Sequence, residues 1–271
     1  MEETIIQMIQ DNFQGFSNHL LDISKLITQD PSSFAGGGPW TLIKSLNSNV
    51  MKPIGFSLVA LFFVIDFLNK SIMFEYAKVE NVIKSLLKLV LAKAVMDSTF
   101  MFLETCFGVV SNIISSVNAS GSLNIAATGD IATLVKNQME GMGIFEQMLF
   151  FLQTWPWTFA MNIFKIIVFF VVYGRMIELF ILTAIAPIPI ATMVSEGVGD
   201  VAKRFFKLYI AVCFQGVIII IACLLYAAMY KGLVGEAKDA MSMITNMVLA
   251  GVVLSGILIK SGTWSKQIAS V

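Results

Sequence analysis

Two long runs of residues that carry no charge constrain the fold of this chain more than any other feature. One run covers 23 residues from Leu208 to Tyr230, and the other covers 20 residues from Ala240 to Ile259. About 20 apolar residues in a helix span the hydrocarbon core of a bilayer, which is about 30 Å thick. Because lipid cannot satisfy backbone polar groups, each run predicts a transmembrane α-helix.

The composition also indicates that lipid, and not water, surrounds much of the chain. Of 271 residues, 57 % are hydrophobic and 13 % are charged, whereas a soluble domain carries about 25 % charged residues. The formal net charge is zero, which disfavours a strongly basic nucleic-acid-binding protein. Cys106, Cys213 and Cys223 lie in apolar stretches, and we interpret them as small buried hydrophobes.

Three weaker segments complete the prediction of an all-α polytopic membrane protein with about five transmembrane helices. Val50–Leu68 has charges only near its ends, and Ala94–Val117 contains two carboxylates. The last segment begins at Trp157, passes Tyr173 and continues into the apolar residues 179–194. Trp residues at the start of a span are typical of the interface between membrane and water.

Residues 179–194 do not form a simple span, because Pro187 and Pro189 must break or kink a helix there. They could fold back as a re-entrant segment or complete a sixth span. With five spans and an outside N-terminus, the inside segments hold ten basic residues and the outside segments hold six. The positive-inside rule therefore favours five spans, a cytoplasmic C-terminus, and a broken segment 179–194 that does not fully cross.

The regions between the spans suggest an organisation into four parts. The N-terminal residues form an amphipathic pattern, since apolar residues recur every three or four positions. Such a helix could lie on a membrane surface or pack on a partner, and we expect His19 on its polar face. The four parts are an external helix and loop at 1–49, two transmembrane helices with a lysine-rich cytoplasmic connection at 50–117, an external loop at 118–156, and three further transmembrane helices at 157–271.

Asp97 and Glu104 are the first candidate functional residues. They are seven positions apart, so they share one face of a helix. A carboxylate that faces lipid costs about 2.5–3.5 kcal/mol, so this face should contact protein or water. It could be a protein-facing polar seam or part of the wall of a hydrophilic conduit. Lys93 precedes Asp97 by four residues and could neutralise it.

Arg175 and Glu178 are the second pair of candidates, at a spacing of three that allows them to pair on one helix. They could form a structural pair that fixes the end of the helix. Alternatively, Arg175 could face a neighbouring subunit or a conduit. The helix break at Pro187 and Pro189 likewise has two possible roles: a fixed corner of the fold, or a binding site of the kind found in transporters.

Gly251 and Ser255 form a small-xxx-small pattern that permits close helix packing in the last span. Catalytic, phosphate-binding and metal-binding motifs are absent from the sequence. We therefore expect no enzymatic activity, no cofactor and no bound metal.

The block GRMIELFILTAIAPIPIATMVSEG at residues 174–197 resembles the signature of the TrbL/VirB-type polytopic membrane subunit of bacterial type IV secretion and conjugation systems. The stretch LITQDPSSFAGGGPW at residues 26–40, followed by Lys52-Pro53-Ile54, looks like the version found in Gram-positive bacteria. The order of external N-terminus, central external loop and later cluster of spans is also similar to that family.

The resemblance implies a subunit of a machine that moves DNA or protein across the cytoplasmic membrane. It implies a ring-like or channel-like homo-oligomer that is energised by separate ATPases and contacts a surface-exposed subunit, surrounded by lipid. Two alternatives remain open from the residues themselves. The chain could be a stand-alone transporter of small solutes, or a membrane scaffold that conducts nothing.

Overall fold

The computed structural model describes residues 2–72, 79–121, 123, 128–140, 142–195, 197–235 and 239–271. Every regular element in this part of the chain is helical, which confirms the all-α prediction. The α-helices are α1 Glu2–Thr28, α2 Gly38–Leu46, α3 Lys52–Ile72, α4 Val79–Ala119, α5 Thr128–Met139, α6 Ile144–Ile185, α7 Pro187–Ala191, α8 Asp200–Gly235 and α9 Ala240–Ile268. Short 3₁₀ turns at Phe34–Gly37 and Thr192–Val194 and a π-turn at Asn47–Met51 connect some of them.

Five helical stretches of the described chain are long and apolar enough to cross a membrane, as predicted. They are Phe34–Ile72, Val79–Ala119, Ile144–Val194, Asp200–Tyr230 and Met241–Ile268. The helix α4 has 41 residues, which corresponds to about 62 Å and is twice the thickness of the hydrocarbon core. The lysines at 84, 88 and 93 therefore belong to a helix and not to a loop between two spans.

The chain divides into two compact units. Unit 1 comprises Met1–Thr28, Asn112–Gly174 and Gly216–Gly262. Unit 2 comprises Gln29–Ser111, Arg175–Gln215 and Thr263–Val271.

Within unit 1, α1 is amphipathic and packs through its apolar face. Four residues of this face are at most 2 % exposed: Ile9, Phe16, Leu20 and Ile23. The sequence left open whether the apolar face of α1 lies on a membrane or on a partner; in the structure, the rest of the protein covers it. The ring of Phe16 packs edge-on against Tyr226 with centroids 5.8 Å apart.

His19 is not on the polar face of α1. Its ring is half-buried, and Nε2 lies 3.1 Å from the backbone carbonyl of Lys165 on α6. Only a protonated ring nitrogen can donate to a carbonyl, so this contact requires the hydrogen on Nε2. The contact fixes α1 against one turn of α6, since residues 19 and 165 both belong to unit 1.

Within unit 2, the first span begins earlier than the apolar run predicts. The helical stretch starts at Phe34, and Pro53 is the second residue of α3 within it. A five-residue π-turn, Asn47–Met51, ends directly before α3 and accommodates the backbone donor that Pro53 lacks. The predicted boundaries at 49/50 and 156/157 consequently fall within helical segments, because the helices extend beyond the purely apolar runs.

The segment predicted to be broken from 179 to 194 remains helical for longer than expected. The helix α6 continues to Ile185, and Ala186 keeps helical backbone angles of φ −49° and ψ −38° before α7 begins at Pro187. Both prolines lie in the first turn of α7, where a missing backbone N–H costs little. The segment is therefore the helical end of the stretch Ile144–Val194.

Candidate functional site

Polar side chains form a line along the exposed side of α4. With 3.6 residues per turn, positions 97, 98, 104 and 105 of unit 2 fall on one side of the helix, and all four are exposed. We call this set the α4 polar stripe; its members are Asp97, Ser98, Glu104 and Thr105, and the exposed apolar side chain of Met101 lies between them. The stripe covers about 12 Å along the helix.

The two carboxylates are the members of the stripe that most need a polar environment. The hydroxyls of Ser98 and Thr105 donate to carbonyls of the preceding turn, both at 2.8 Å. Such hydroxyls are satisfied by their own helix and can face lipid. Glu104, by contrast, has no hydrogen bond or ion pair within the part of the chain that the structure describes.

Asp97 pairs with Lys52, and not with Lys93 as its spacing on α4 suggests. The Lys52 Nζ atom on α3 lies 2.8 Å from Oδ1 of Asp97. The aspartate side chain remains 51 % exposed, so the pair is open to the surroundings of the protein. Within the described part of the chain, the stripe thus presents one carboxylate that pairs with a lysine, that of Asp97, and one without a partner, that of Glu104, at the surface of unit 2.

The predicted pair of Arg175 and Glu178 is wrong, because each residue has a different partner. Arg175 is 2 % exposed and donates from Nε to the carbonyl of Val212 at 3.1 Å and from Nη2 to that of Cys213 at 3.2 Å. Glu178 forms an ion pair with Lys266, in which Oε1 and Nζ are 3.0 Å apart. Arg175 consequently joins α6 to α8.

Backbone carbonyls and an aromatic ring surround the guanidinium group of Arg175. Its guanidinium carbon lies 6.0 Å from the ring centroid of Phe107 on α4, a favourable distance for a cation–π contact. The Nη1 atom has no hydrogen-bond partner among the described residues. A side chain buried this completely cannot touch a passing substrate, so the structure favours a structural role for Arg175.

A residue that the sequence analysis did not select, Asn47, supports the bend at Pro187. Because Pro187 has no N–H, the carbonyl of Thr183 loses its helical donor. The amide of Asn47 is buried and donates to this carbonyl at 2.8 Å, and to the carbonyl of Ala184 at 3.3 Å. The π-turn that begins at Asn47 brings this side chain to the bend.

Close packing at the bend leaves no room for a substrate beside Pro187. A Cβ atom on Gly55 of α3 would lie 3.0 Å from both Cβ and the carbonyl oxygen of Pro187, and 3.0 Å from Sδ of Met96. Pro187 is buried and Pro189 is half-buried. The structure therefore favours a fixed corner over a transporter-like binding site.

Aromatic rings from α2, α4 and α6 pack next to this corner. The ring of Trp40 lies 4.9 Å from that of Phe100 and 6.1 Å from that of Phe180, between centroids. The GGGPW stretch brings Trp40 into this position, because Gly36 and Gly37 have φ of 74° and 79°. Glycine adopts such positive φ angles without steric cost.

Gly251 faces a helix of the same unit. Gly251 and Ser255 are both buried, and a Cβ atom on Gly251 would lie 2.7 Å from Cδ2 of Phe164 on α6. The small residue thus permits close packing between α9 and α6 within unit 1. This position is not available to a second copy of the chain.

Lys165 is a charged residue inside a span that the sequence analysis overlooked. It lies eight positions after Trp157 and ten before Arg175, in the middle of an apolar run, and this isolation is the signal that could have revealed it. Its Nζ atom lies 3.1 Å from the position that a Cβ atom on Gly15 would take. The absence of a side chain at Gly15 therefore makes space for the ammonium beside α1.

The described cysteines are free, with Cys213 and Cys223 buried and Cys106 half-buried. Among the described residues, no three His, Cys, Asp or Glu side chains are grouped so that they could hold a metal ion.

Comparison with known proteins identifies the family. The family described as TrbL/VirB6 plasmid conjugal transfer like protein matches residues 16–187, which is more than half of the 271 residues and includes Asn47, the α4 polar stripe and Arg175. No curated protein and no solved structure matches the chain. The described part of the chain has five helical stretches long and apolar enough to cross a membrane. The chain therefore belongs to the TrbL/VirB6 plasmid conjugal transfer family and is a multi-pass inner-membrane subunit of a conjugation or type IV secretion system.

Proposed function

We propose that this protein forms a homo-oligomeric channel for DNA or protein in the conjugation machine, with the α4 polar stripe of each copy lining a water-filled conduit. The observation that carries the proposal is the exposed carboxylate of Glu104, which has no partner among the described residues and lies in a helix long and apolar enough to cross a membrane. A carboxylate left against lipid costs about 2.5–3.5 kcal/mol even on lenient scales. Water or a neighbouring copy removes this cost, and a ring of copies provides both.

The two kinds of exposed residue on α4 in unit 2 also support a conduit. Polar positions 97, 98, 104 and 105 lie on one side of the helix, with Met101 among them. The exposed apolar residues Phe102 and Val109 lie beside them. A helix with one polar and one apolar exposed side fits a position between a hydrophilic interior and lipid or a neighbouring helix.

We place the N-terminus outside and the C-terminus in the cytoplasm, because this orientation holds more basic residues inside. The parts of the external regions 1–49 and 118–156 that lie outside the candidate spans would then dock a surface-exposed subunit. The lysine-rich segment 70–93 and the segment 195–207, which includes the start of α8, would face the cytoplasmic ATPases or anionic lipid headgroups. The protein itself performs no catalysis in this proposal, so its partners supply the energy.

Substitution of the two carboxylates tests the proposal. We expect Glu104→Leu to leave the protein inserted and oligomeric but to lower the frequency of conjugative transfer, with Asp97→Asn and Glu104→Gln giving smaller losses. The matched control is Glu80→Gln, which removes a carboxylate from the same helix where it is exposed and paired with Lys84 at 2.7 Å. Normal transfer by Glu104→Leu, together with higher stability, would mean that the residue faces lipid and would refute the conduit.

The same variants separate the channel from a scaffold that conducts nothing. Loss of the oligomer on blue native gels in Asp97→Asn and Glu104→Gln, in parallel with loss of transfer, favours the scaffold. A stand-alone transporter has less support, because Arg175 and Glu178 have separate partners and Pro187 is closely packed. Uptake of a small solute by liposomes that contain only this protein would favour the transporter.

A further inference from the structure

A cavity of about 280 Å³ lies at the corner between the 3₁₀ turn Thr192–Val194 and the start of α8. Its lining combines the apolar side chains Met193, Ala202 and Phe206 with Asp200 and Lys203. The chain leaves the span Ile144–Val194 and enters the span Asp200–Tyr230 at this corner. The cavity therefore opens close to one surface of the membrane, where phospholipid headgroups meet their acyl chains.

Among the described residues, cations outnumber carboxylates around this cavity. Lys203 lines the cavity, and Lys207 is one helical turn further along the same side of α8. Arg204 adds a third exposed cation on the first turns of this helix. The described carboxylate at this corner is that of Asp200, which also lines the cavity and pairs with Lys203 at 3.0 Å in a largely exposed ion pair; Glu196 lies outside the described residues.

We infer that this corner is a binding site for an anionic phospholipid, with the phosphate against Lys203 and Lys207 and the start of an acyl chain in the cavity. Basic residues near the membrane surface attract acidic lipids, and the apolar floor excludes a purely polar ligand. Both lysines are exposed and can reach a phosphate, and the ion pair with Asp200 holds Lys203 beside the cavity. This inference does not depend on whether the α4 polar stripe conducts.

Lipid binding by the purified, full-length protein tests the inference. We would titrate phosphatidylglycerol into the protein in a neutral detergent and count bound lipids by native mass spectrometry, with phosphatidylcholine and soluble glycerol phosphate as comparison ligands. We expect phosphatidylglycerol to bind more tightly than phosphatidylcholine and glycerol phosphate not to bind. The double variant Lys203→Gln/Lys207→Gln should weaken phosphatidylglycerol binding about thirtyfold, since each lysine near the membrane surface contributes about 1 kcal/mol.

Two further variants separate a built site from general surface charge. Lys84→Gln/Lys93→Gln removes the same charge from exposed lysines of α4 and should leave binding unchanged. Ala202→Leu reduces the cavity but keeps every charge, and it should also weaken binding; an unchanged thermal unfolding temperature shows that it still folds. The inference is overturned if both lipids bind equally, if the α4 control loses as much as the α8 variant, if glycerol phosphate binds as well as the lipid, or if a folded Ala202→Leu variant binds normally.

Discussion

The hydrogen bond between Asn47 and the bend at Pro187 makes a quantitative prediction about stability. The carbonyl of Thr183 has no helical donor, since the residue four positions later is proline. Asn47→Leu keeps the approximate volume of the side chain but removes the donor at 2.8 Å. A buried carbonyl left without a donor costs about 1–3 kcal/mol, so we expect Asn47→Leu to lower the free energy of unfolding by that amount.

A second substitution isolates this contribution. Pro187→Ala restores a backbone N–H that can donate to the carbonyl of Thr183, so that carbonyl no longer depends on Asn47. In the Pro187→Ala background, Asn47→Leu should therefore cost much less, and the double-mutant cycle should give a coupling energy of about 1–2 kcal/mol. Asn47→Asp should be at least as destabilising as Asn47→Leu, because it places a carboxylate oxygen opposite two carbonyl oxygens.

Unfolding of the purified protein in mixed micelles, followed by tryptophan fluorescence as the fraction of denaturing detergent increases, provides the measurement. Thr41→Val is a matched control, since its exposed hydroxyl only donates to the carbonyl of Gly37 in its own helix. We expect this control to change stability by less than Asn47→Leu. If the Asn47 and Pro187 substitutions change the free energy of unfolding by strictly additive amounts, the Asn47 amide does not compensate the carbonyl of Thr183, and the assignment is refuted.

Three further predictions concern helix contacts. Arg175→Lys should destabilise the protein more than Arg175→Met in the same unfolding assay, because lysine keeps a buried charge but loses the two-carbonyl geometry; the opposite order would contradict the structural role. Gly251→Leu should prevent close packing on the ring of Phe164 and lower the thermal unfolding temperature of the purified protein. An unchanged unfolding temperature would mean that Gly251 does not pack against Phe164. The hydrogen bond from Ser242 to Asp239 holds the pKa of that carboxyl below its ordinary value of 3.8. The ionised carboxylate should therefore stabilise α9 fully above pH 3.8, and this stabilisation should be lost as the pH falls through the lower pKa of the folded protein. Asp239→Asn should remove this pH dependence of the free energy of unfolding, and an identical pH dependence in both proteins would exclude the contact.

Membrane-spanning helices were predictable because their signal is local. A run such as Leu208–Tyr230 indicates a span from its own residues, without any knowledge of its neighbours. The amphipathic pattern of α1 was readable for the same reason, whereas the partner that covers its apolar face was not. The ends of helices were less predictable, since α4 and α6 continue as helices well past the point where the apolar residues end.

The partners of the polar residues were beyond the reach of sequence spacing. Arg175 was expected to pair with an acid three positions away, but it binds carbonyls 37 and 38 positions away. Asn47 acts on a carbonyl 136 positions away, so no local pattern could have revealed it. Backbone carbonyls are present at every position of the chain, and only packing determines which of them a buried donor meets.

Accessibility of α4 to a water-soluble reagent in the assembled machine tests the central claim most directly. In a protein whose native cysteines are replaced by alanine, Glu104→Cys and Val109→Cys would each introduce one thiol at an exposed position of α4. A charged maleimide that cannot dissolve in lipid should label the Glu104→Cys protein in membranes of cells that assemble the conjugation apparatus and leave the Val109→Cys protein largely unlabelled. Failure to label Glu104→Cys, with Val109→Cys labelled equally or more, would contradict a water-filled conduit along the α4 polar stripe.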